Sequence, residues 1–123
     1  MLKLSTQLRR VPFQLEDGKE TVDLYVSQYT VADANKMVNI QRELVNEEGN
    51  ITEYGAFVAS RIVCSVKRVD NDEHYWPTIE DFEDKGYPNE LMTQLDQVVN
   101  EVNPIPDTPE LEKGESLLEQ KKS

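Results

Sequence analysis

The sequence predicts a predominantly helical α+β fold, in which an N-terminal β-hairpin is followed by about four helices. Near the N-terminus, two runs of alternating apolar and polar residues flank an Asp-Gly pair. Beyond residue 30, apolar residues recur at spacings of three and four, as on one face of a helix. The composition changes at Pro104, so we expect a hairpin plus helical domain over 1–103. A flexible, acidic, proline-containing tail is expected over 104–123.

The hairpin is the first element. Apolar residues alternate over 11–15 and again over 22–26, and Asp17-Gly18 lies between the two runs. An Asp-Gly pair in this position is a strong signal for a tight turn between antiparallel strands. Pro12 has no N–H to donate, so its strand is expected at an edge of the sheet, or with the proline nitrogen facing outward.

The first helix is predicted over 31–47. Thr30 is followed three residues later by Asp33, a spacing typical of a capping box at a helix N-terminus. Gly49 is expected to stop the helix, because glycine adopts a left-handed conformation at little cost.

The second helix is predicted over 51–69, capped by Thr52 or Asn50, as the central and most buried helix. Its β-branched residues leave open a strand over 62–69. Gly55 costs about 1 kcal/mol in a helix relative to alanine, so we expect another segment to pack closely against it.

Two further helices complete the domain. Thr78 and Asp81 form a second capping-box pattern for a short helix that ends at Gly86. Pro88 suits the first turn of the last helix, and Pro104 stops it, so this helix is predicted over 88–103. Its apolar stripe steps by four, three and four residues through Leu91, Leu95, Val98 and Val102.

The formal net charge of −11 is concentrated in one part of the chain. Residues 1–69 balance nine acidic with nine basic side chains, whereas residues 70–103 contain ten acidic side chains and one lysine. This charge disfavours direct binding to nucleic acid or to anionic lipid. It indicates either a basic partner or simply a solvated acidic face.

The reactive residues in the sequence limit which enzyme, metal and cofactor sites can be expected. His74 and Cys64 are the only histidine and cysteine, so we expect no enzyme activity, no metal site and no cofactor. Cys64 is expected as a buried, inert thiol and His74 as a solvated side chain. A calcium loop starting at Asp70 would need glycine where Tyr75 stands. Without a signal peptide or an apolar span, a soluble cytoplasmic protein is expected.

The order of elements resembles a known family. Residues 4–13 lead into the hairpin, and 69–72 form an Asp-rich turn. A short helix led by an aromatic residue follows over 76–82, and a Pro-led helix closes on an Asn over 88–103. Over residues 1–104 the chain resembles the small tail assembly chaperones of long, non-contractile-tailed bacteriophages and prophages. It departs from them in lacking a glycine after Asp72.

The resemblance implies a function and a set of partners. Such chaperones coat the tape measure protein, keep it soluble until the tail tube polymerises around it, and are absent from the virion. The implied partners are the tape measure protein, further copies of the chain and a frameshift-extended form of it, with the major tail tube protein as a further candidate. Lys121-Lys122 is compatible with a slippery frameshift site, although a lysine pair is usually nothing more.

Five residues are candidates for partner binding. Tyr75 and Trp76 follow a polar loop and are candidate exposed anchors, because aromatic residues dominate interface energetics. Leu91, Leu95 and Val98 could face a groove for a helix. For Trp76 and for the three aliphatic residues, packing in the core is the alternative reading.

Two other functions compete with the chaperone. The acidic stretch would suit an inhibitor that mimics nucleic acid and binds a basic host protein. The same chain could also be a minor structural protein of the tail or of the head–tail connection.

Overall fold

Three antiparallel strands and four helices make up the computed structural model of the protein, which describes residues 1–104. The elements in chain order are β1 (Arg10–Asp17), β2 (Glu20–Ser27), α1 (Val31–Arg42), α2 (Tyr54–Val63), β3 (Val66–Arg68), α3 (Ile79–Glu83) and α4 (Asn89–Val102). Helices account for 39% of these residues and strands for 21%, so the prediction of a predominantly helical fold is wrong. The fold remains α+β, and the N-terminal hairpin is confirmed.

The main correction concerns the segment predicted as a single helix over 51–69. Helix α2 ends at Val63, and after a turn at Cys64 and Ser65 the chain continues as β3. Val66 pairs with Val26 of β2, and both side chains are fully buried. The pairing satisfies the second edge of β2 with backbone hydrogen bonds, and the β-branched side chain of Val66 suits a strand. The strand left open over 62–69 is therefore present, but only over residues 66–68.

The sheet has the order β1-β2-β3. Gly18 and Lys19 connect the first two strands, and Gly18 alone of the two has a positive φ, at 68°, as a type II′ turn requires. The edge position expected for the strand of Pro12 is confirmed, since β1 is an outer strand. Residues 73–75 cover the far side of β3, where the Arg68 N–H donates to the Glu73 carbonyl at 2.8 Å. Within residues 1–104, β1 is thus the open edge.

The core lies between one face of the sheet and helices α2 and α4. Leu24, Val26 and Val66 project from the sheet and are completely buried. Helix α2 buries six consecutive residues, 58–63, and contacts the other three helices, so it is the central helix, although shorter than predicted. Helix α4 adds the buried side chains of Leu95, Val99 and Val102.

Both predicted capping boxes are present. Thr30 and Asp33 exchange hydrogen bonds at the start of α1, as do Thr78 and Asp81 at the start of α3. Helix α1 ends at Arg42, five residues earlier than predicted. Gly49 has the expected positive φ of 85°, but it lies in a turn beyond the helix, between the bridged residues Val45 and Ile51.

Two further points concern the C-terminal tail and membrane-spanning helices. The tail predicted over 104–123 falls, beyond Pro104, outside the residues that the structure describes. Among residues 1–104, no helix has the length and apolar character needed to cross a bilayer.

Gly55 generates a testable prediction, because the close packing expected at this residue is absent. A Cβ placed on Gly55 meets no atom within 4 Å. Gly55→Ala should therefore raise the free energy of unfolding, by about 0.5–1 kcal/mol, since alanine loses less backbone entropy on folding. Urea unfolding measures the change. The control, Gly18→Ala, should be destabilising because its backbone has a positive φ; stabilisation there would contradict the argument.

Candidate functional site

An apolar groove of about 210 Å³ separates the open edge of the sheet from helix α4. We call it the β1–α4 groove. Its sheet side is formed by Val11, Phe13, Gln14, Leu15 and Val26. Its helix side is formed by Leu91, Gln94, Leu95 and Val98. The arrangement offers aliphatic and aromatic surface to a partner, with glutamine side chains at its margin.

The groove continues toward an acidic end. A second hollow of about 260 Å³ shares Leu15, Leu91 and Gln94 with it and adds Glu16 and Glu90. A ligand lying along the whole depression would meet apolar side chains first and carboxylates at the far end. An apolar segment with an adjoining basic residue matches this pattern.

The predicted aliphatic residues Leu91, Leu95 and Val98 meet in this groove. Leu91 and Val98 are half-buried and remain accessible, whereas Leu95 is buried at its floor. Only this helical wall was predicted as a binding surface from the sequence. Val11 and Phe13, which form the opposite wall, were identified as hairpin residues and not as binding residues, although their alternating pattern was recognised.

The aromatic candidates Tyr75 and Trp76 lie elsewhere. Trp76 is 1% exposed and packs edge-on against Phe82 and Tyr87, so a partner that leaves the fold unchanged cannot contact it. Its indole N–H donates to the Tyr87 hydroxyl at 3.1 Å. The core alternative considered for Trp76 is the one observed.

Tyr75 is held by a carboxylate at the tip of the hairpin. The hydroxyls of Tyr75 and Tyr87 donate to Asp17 Oδ2 at 2.6 and 2.9 Å. The hydrogen bond from Tyr75 is the largest influence on Asp17, and the pKa of this carboxyl is lowered. Burial raises the pKa of Tyr87 to about 12. This cluster ties the hairpin to the segment that leads into α4.

Further polar contacts fix α4 against the rest of the domain. The Arg61 guanidinium donates to Asp96 at 2.8 Å and also to Asn100, joining α2 to α4. At the end of α4, the Asn103 side chain accepts a hydrogen bond from the Tyr29 N–H at 2.8 Å. The helical wall of the groove is therefore anchored along its length.

A buried ionic cluster lies outside this groove. Asp33 is 2% exposed, and its carboxylate accepts from Lys67 Nζ at 2.8 Å and lies 2.8 Å from His74 Nε2. Burial acts to raise the pKa of Asp33, but hydrogen bonds from His74, Lys67 and Thr30 outweigh it, so the pKa is lowered. The expectation that His74 is solvated is wrong, because this contact with Asp33 partly buries it.

The hydrogen bonds of this cluster occupy its carboxylate and join separate parts of the fold. Each oxygen of Asp33 already has a close donor, and the carboxylate also completes the capping box of α1. Within residues 1–104, no group of three or more His, Cys, Asp or Glu side chains is placed to hold a metal ion. Cys64 is fully buried, as expected, and burial raises the pKa of its thiol to about 11.

The acidic stretch forms an exposed surface. Nine of the ten acidic residues in 70–103 are exposed, and Asp96, paired with Arg61, is the partly buried exception. This exposure agrees with either prediction from the sequence, a surface that binds a basic partner or a solvated acidic face.

The Asp33 cluster leads to a second prediction. Asp33→Asn should lower the free energy of unfolding by about 3–5 kcal/mol, because it leaves the charge of Lys67 buried without its partner. Urea unfolding at pH 7 measures the loss. Asp70→Asn is the matched control, since the pair of Asp70 with Arg68 lies at the surface and should contribute little. Equal effects of the two substitutions would contradict the prediction.

The same substitution gives a third prediction, on pH dependence. A carboxyl whose pKa is lowered on folding contributes stability above its unfolded pKa and loses that contribution as the pH falls. The stability difference between the unaltered chain and Asp33→Asn should therefore be complete above about pH 4 and shrink below it. Urea unfolding from pH 2 to 7 measures this; a constant difference would contradict it.

Comparisons with protein-family models, with curated proteins and with solved structures give no match. The contacts described above are therefore the basis for a functional proposal, together with the resemblance noted in the sequence.

Proposed function

We propose that the protein is a bacteriophage tail assembly chaperone that shelters apolar segments of the tape measure protein in the β1–α4 groove. The observation that carries the proposal is the meeting of accessible Leu91 and Val98 with Val11 and Phe13 across an open groove. These side chains offer apolar surface to a partner chain while the fold stays intact. The family resemblance supplies the identity of that partner.

The groove is suited to a weak and reversible contact. Burying one large aliphatic side chain contributes about 1.5–3 kcal/mol, and association has an unfavourable entropy that a single small groove offsets only in part. A tape measure is a long chain, so many copies of the chaperone can bind along it. Weak individual contacts allow each copy to leave as the tail tube advances.

The exposed acidic surface supports the same role. The protein carries nine exposed carboxylates between residues 70 and 101 in addition to the apolar surface of the groove. Repulsion between such surfaces keeps coated chains from associating with one another. It also disfavours capture of the chaperone by nucleic acid in the host cell.

This acidic surface favours a second candidate, an inhibitor that mimics nucleic acid and binds a basic host protein. The two functions use different surfaces, so they separate experimentally. Displacement of DNA from a host nuclease or repressor, unaffected by substitutions in the β1–α4 groove, would favour the inhibitor. Detection of the protein in purified virions by mass spectrometry would instead favour a structural tail protein.

Co-expression with the tape measure protein gives the fourth prediction. The chain should move the tape measure into the soluble fraction, and Leu91→Glu or Val98→Glu should weaken the binding at least about tenfold. A carboxylate forced into an apolar groove costs more than the roughly 1.4 kcal/mol that corresponds to a factor of ten. Pull-down titration of the tape measure measures the affinity.

The matched control is Gln97→Glu, which adds the same charge to an exposed position of the same helix. It should bind as the unaltered chain does. Circular dichroism and urea unfolding identify any variant that fails to fold. If the tape measure is equally soluble without this chain, the chaperone proposal fails.

A further inference from the structure

An exposed segment precedes the hairpin. We call residues 1–8 the arm. Its leucines, Leu2, Leu4 and Leu8, all occupy even-numbered positions, which lie on one face of a strand, with Thr6 between the last two. Leu2 is 80% exposed and Leu4 is 86% exposed. Within residues 1–104, no backbone hydrogen bond joins the arm to another segment. The arm is therefore an extended segment whose apolar residues Leu2 and Leu4 are not covered by the rest of the domain, whereas Leu8 is half-buried.

The open edge of β1 offers hydrogen-bonding groups to such a segment. The Ser27 N–H donates to Ser65 and the Val69 N–H donates to Asp23, so the odd-numbered residues of β2 face β3. The even-numbered residues of β2 then face β1, and the register pairs them with its odd-numbered residues. The backbone groups of residues 10, 12, 14 and 16 consequently point outward. Only the N–H at Pro12 is missing from this row.

We infer that the arm of a second copy adds as a strand to the open edge of β1 and inserts its leucines into the β1–α4 groove. A strand added at this edge projects alternate side chains over the same sheet face that α4 covers. This inference rests on the groove of the proposed function. In the free protein, the arm of the second copy covers the surface that the tape measure would later occupy.

The contacts at the base of the arm favour a second copy over the same chain. The Arg9 carbonyl accepts from the Gln28 N–H at 2.8 Å, which continues the β1–β2 pairing toward the arm. The Arg9 guanidinium donates to the Val102 carbonyl at 2.9 Å. The arm thus leaves in line with β1. A return to its own groove needs a reverse turn within residues 4–11, which contain no Gly, Pro, Asn or Asp.

Length and charge match between the arm and its binding surface. Eight extended residues span about 26 Å, the length of the eight-residue strand β1. Residues 1–10 carry Lys3, Arg9 and Arg10 and no acidic residue. The far end of the groove carries Glu16 and Glu90. The attraction between these charges implies that salt weakens the association.

Cysteine crosslinking in the absence of the tape measure gives the fifth prediction. Cys64 is fully buried, so an added surface cysteine is the reactive thiol among residues 1–104. Chains carrying Leu4→Cys are mixed with chains carrying Gln94→Cys and oxidised, and disulfide-linked heterodimers are counted on a gel. Gln97→Cys is the matched control, on the same helix but outside the groove. We expect several-fold more heterodimer with position 94 than with position 97.

Two results would overturn the inference. One is equal crosslinking at positions 94 and 97. The other is a doubly substituted chain, Leu4→Cys with Gln94→Cys, that forms only the intramolecular disulfide.

Sedimentation adds a second measurement. Removal of residues 1–8 should convert dimer to monomer, while urea unfolding of residues 9–123 stays cooperative. An unchanged dimer would count against the arm. The crosslinking and sedimentation experiments contain no tape measure, so they test the arm independently of the chaperone proposal. Failure of the solubility assay would contradict the chaperone function alone, and failure of the crosslinking would contradict the arm alone.

Discussion

The fold depends on satisfying both edges and the inner face of β2, the central strand. Leu24 and Val26 of this strand are completely buried, and their burial requires helices α2 and α4 across the sheet. The second edge of β2 needs a partner as well, because unpaired backbone groups in the interior are costly. The chain meets this need by ending α2 at Val63 and turning Val66–Arg68 into a strand. That change brings Lys67 within 2.8 Å of Asp33, so the buried ion pair is a consequence of the strand pairing.

The same packing leaves the β1–α4 groove. Helix α4 buries Val99 and Val102 in the core, but toward β1 its half-buried residues Leu91 and Val98 stay open to solvent. Polar contacts at both ends attach the helix to the hairpin and to the segment after β2. Asp17 holds Tyr87 just before α4 begins, and Asn103 binds Tyr29 just after it ends. A groove with fixed walls needs little reorganisation to bind a partner, which favours association.

Local signals in the sequence predicted much of the fold. The Asp17-Gly18 turn, the capping boxes of α1 and α3, and the prolines that bound α4 each act within a few residues. Strand β3 was left only as an alternative, because the short segment 62–69 has no period that separates a strand from a helix. The partners of Asp33 lie 34 and 41 residues away along the chain, beyond any local pattern. Only the α4 wall of the groove was predicted, because the apolar stripe on α4 is periodic in the sequence. The role of Val11 and Phe13 depends instead on which edge of the sheet stays open, and no local pattern gives that edge.

An apolar groove beside an open strand edge is a hazard for a protein made before its partner is ready. Such edges pair with one another, and exposed apolar surface promotes aggregation. A covering segment reduces the hazard, but it also competes with the partner, since occupancy of the groove lowers the apparent affinity in proportion. The competition is tolerable when the covering segment binds weakly and the partner offers many sites. In the proposed dimer the arm meets that condition, because attraction between its exposed basic residues and the carboxylates of the groove is modest and screened by salt.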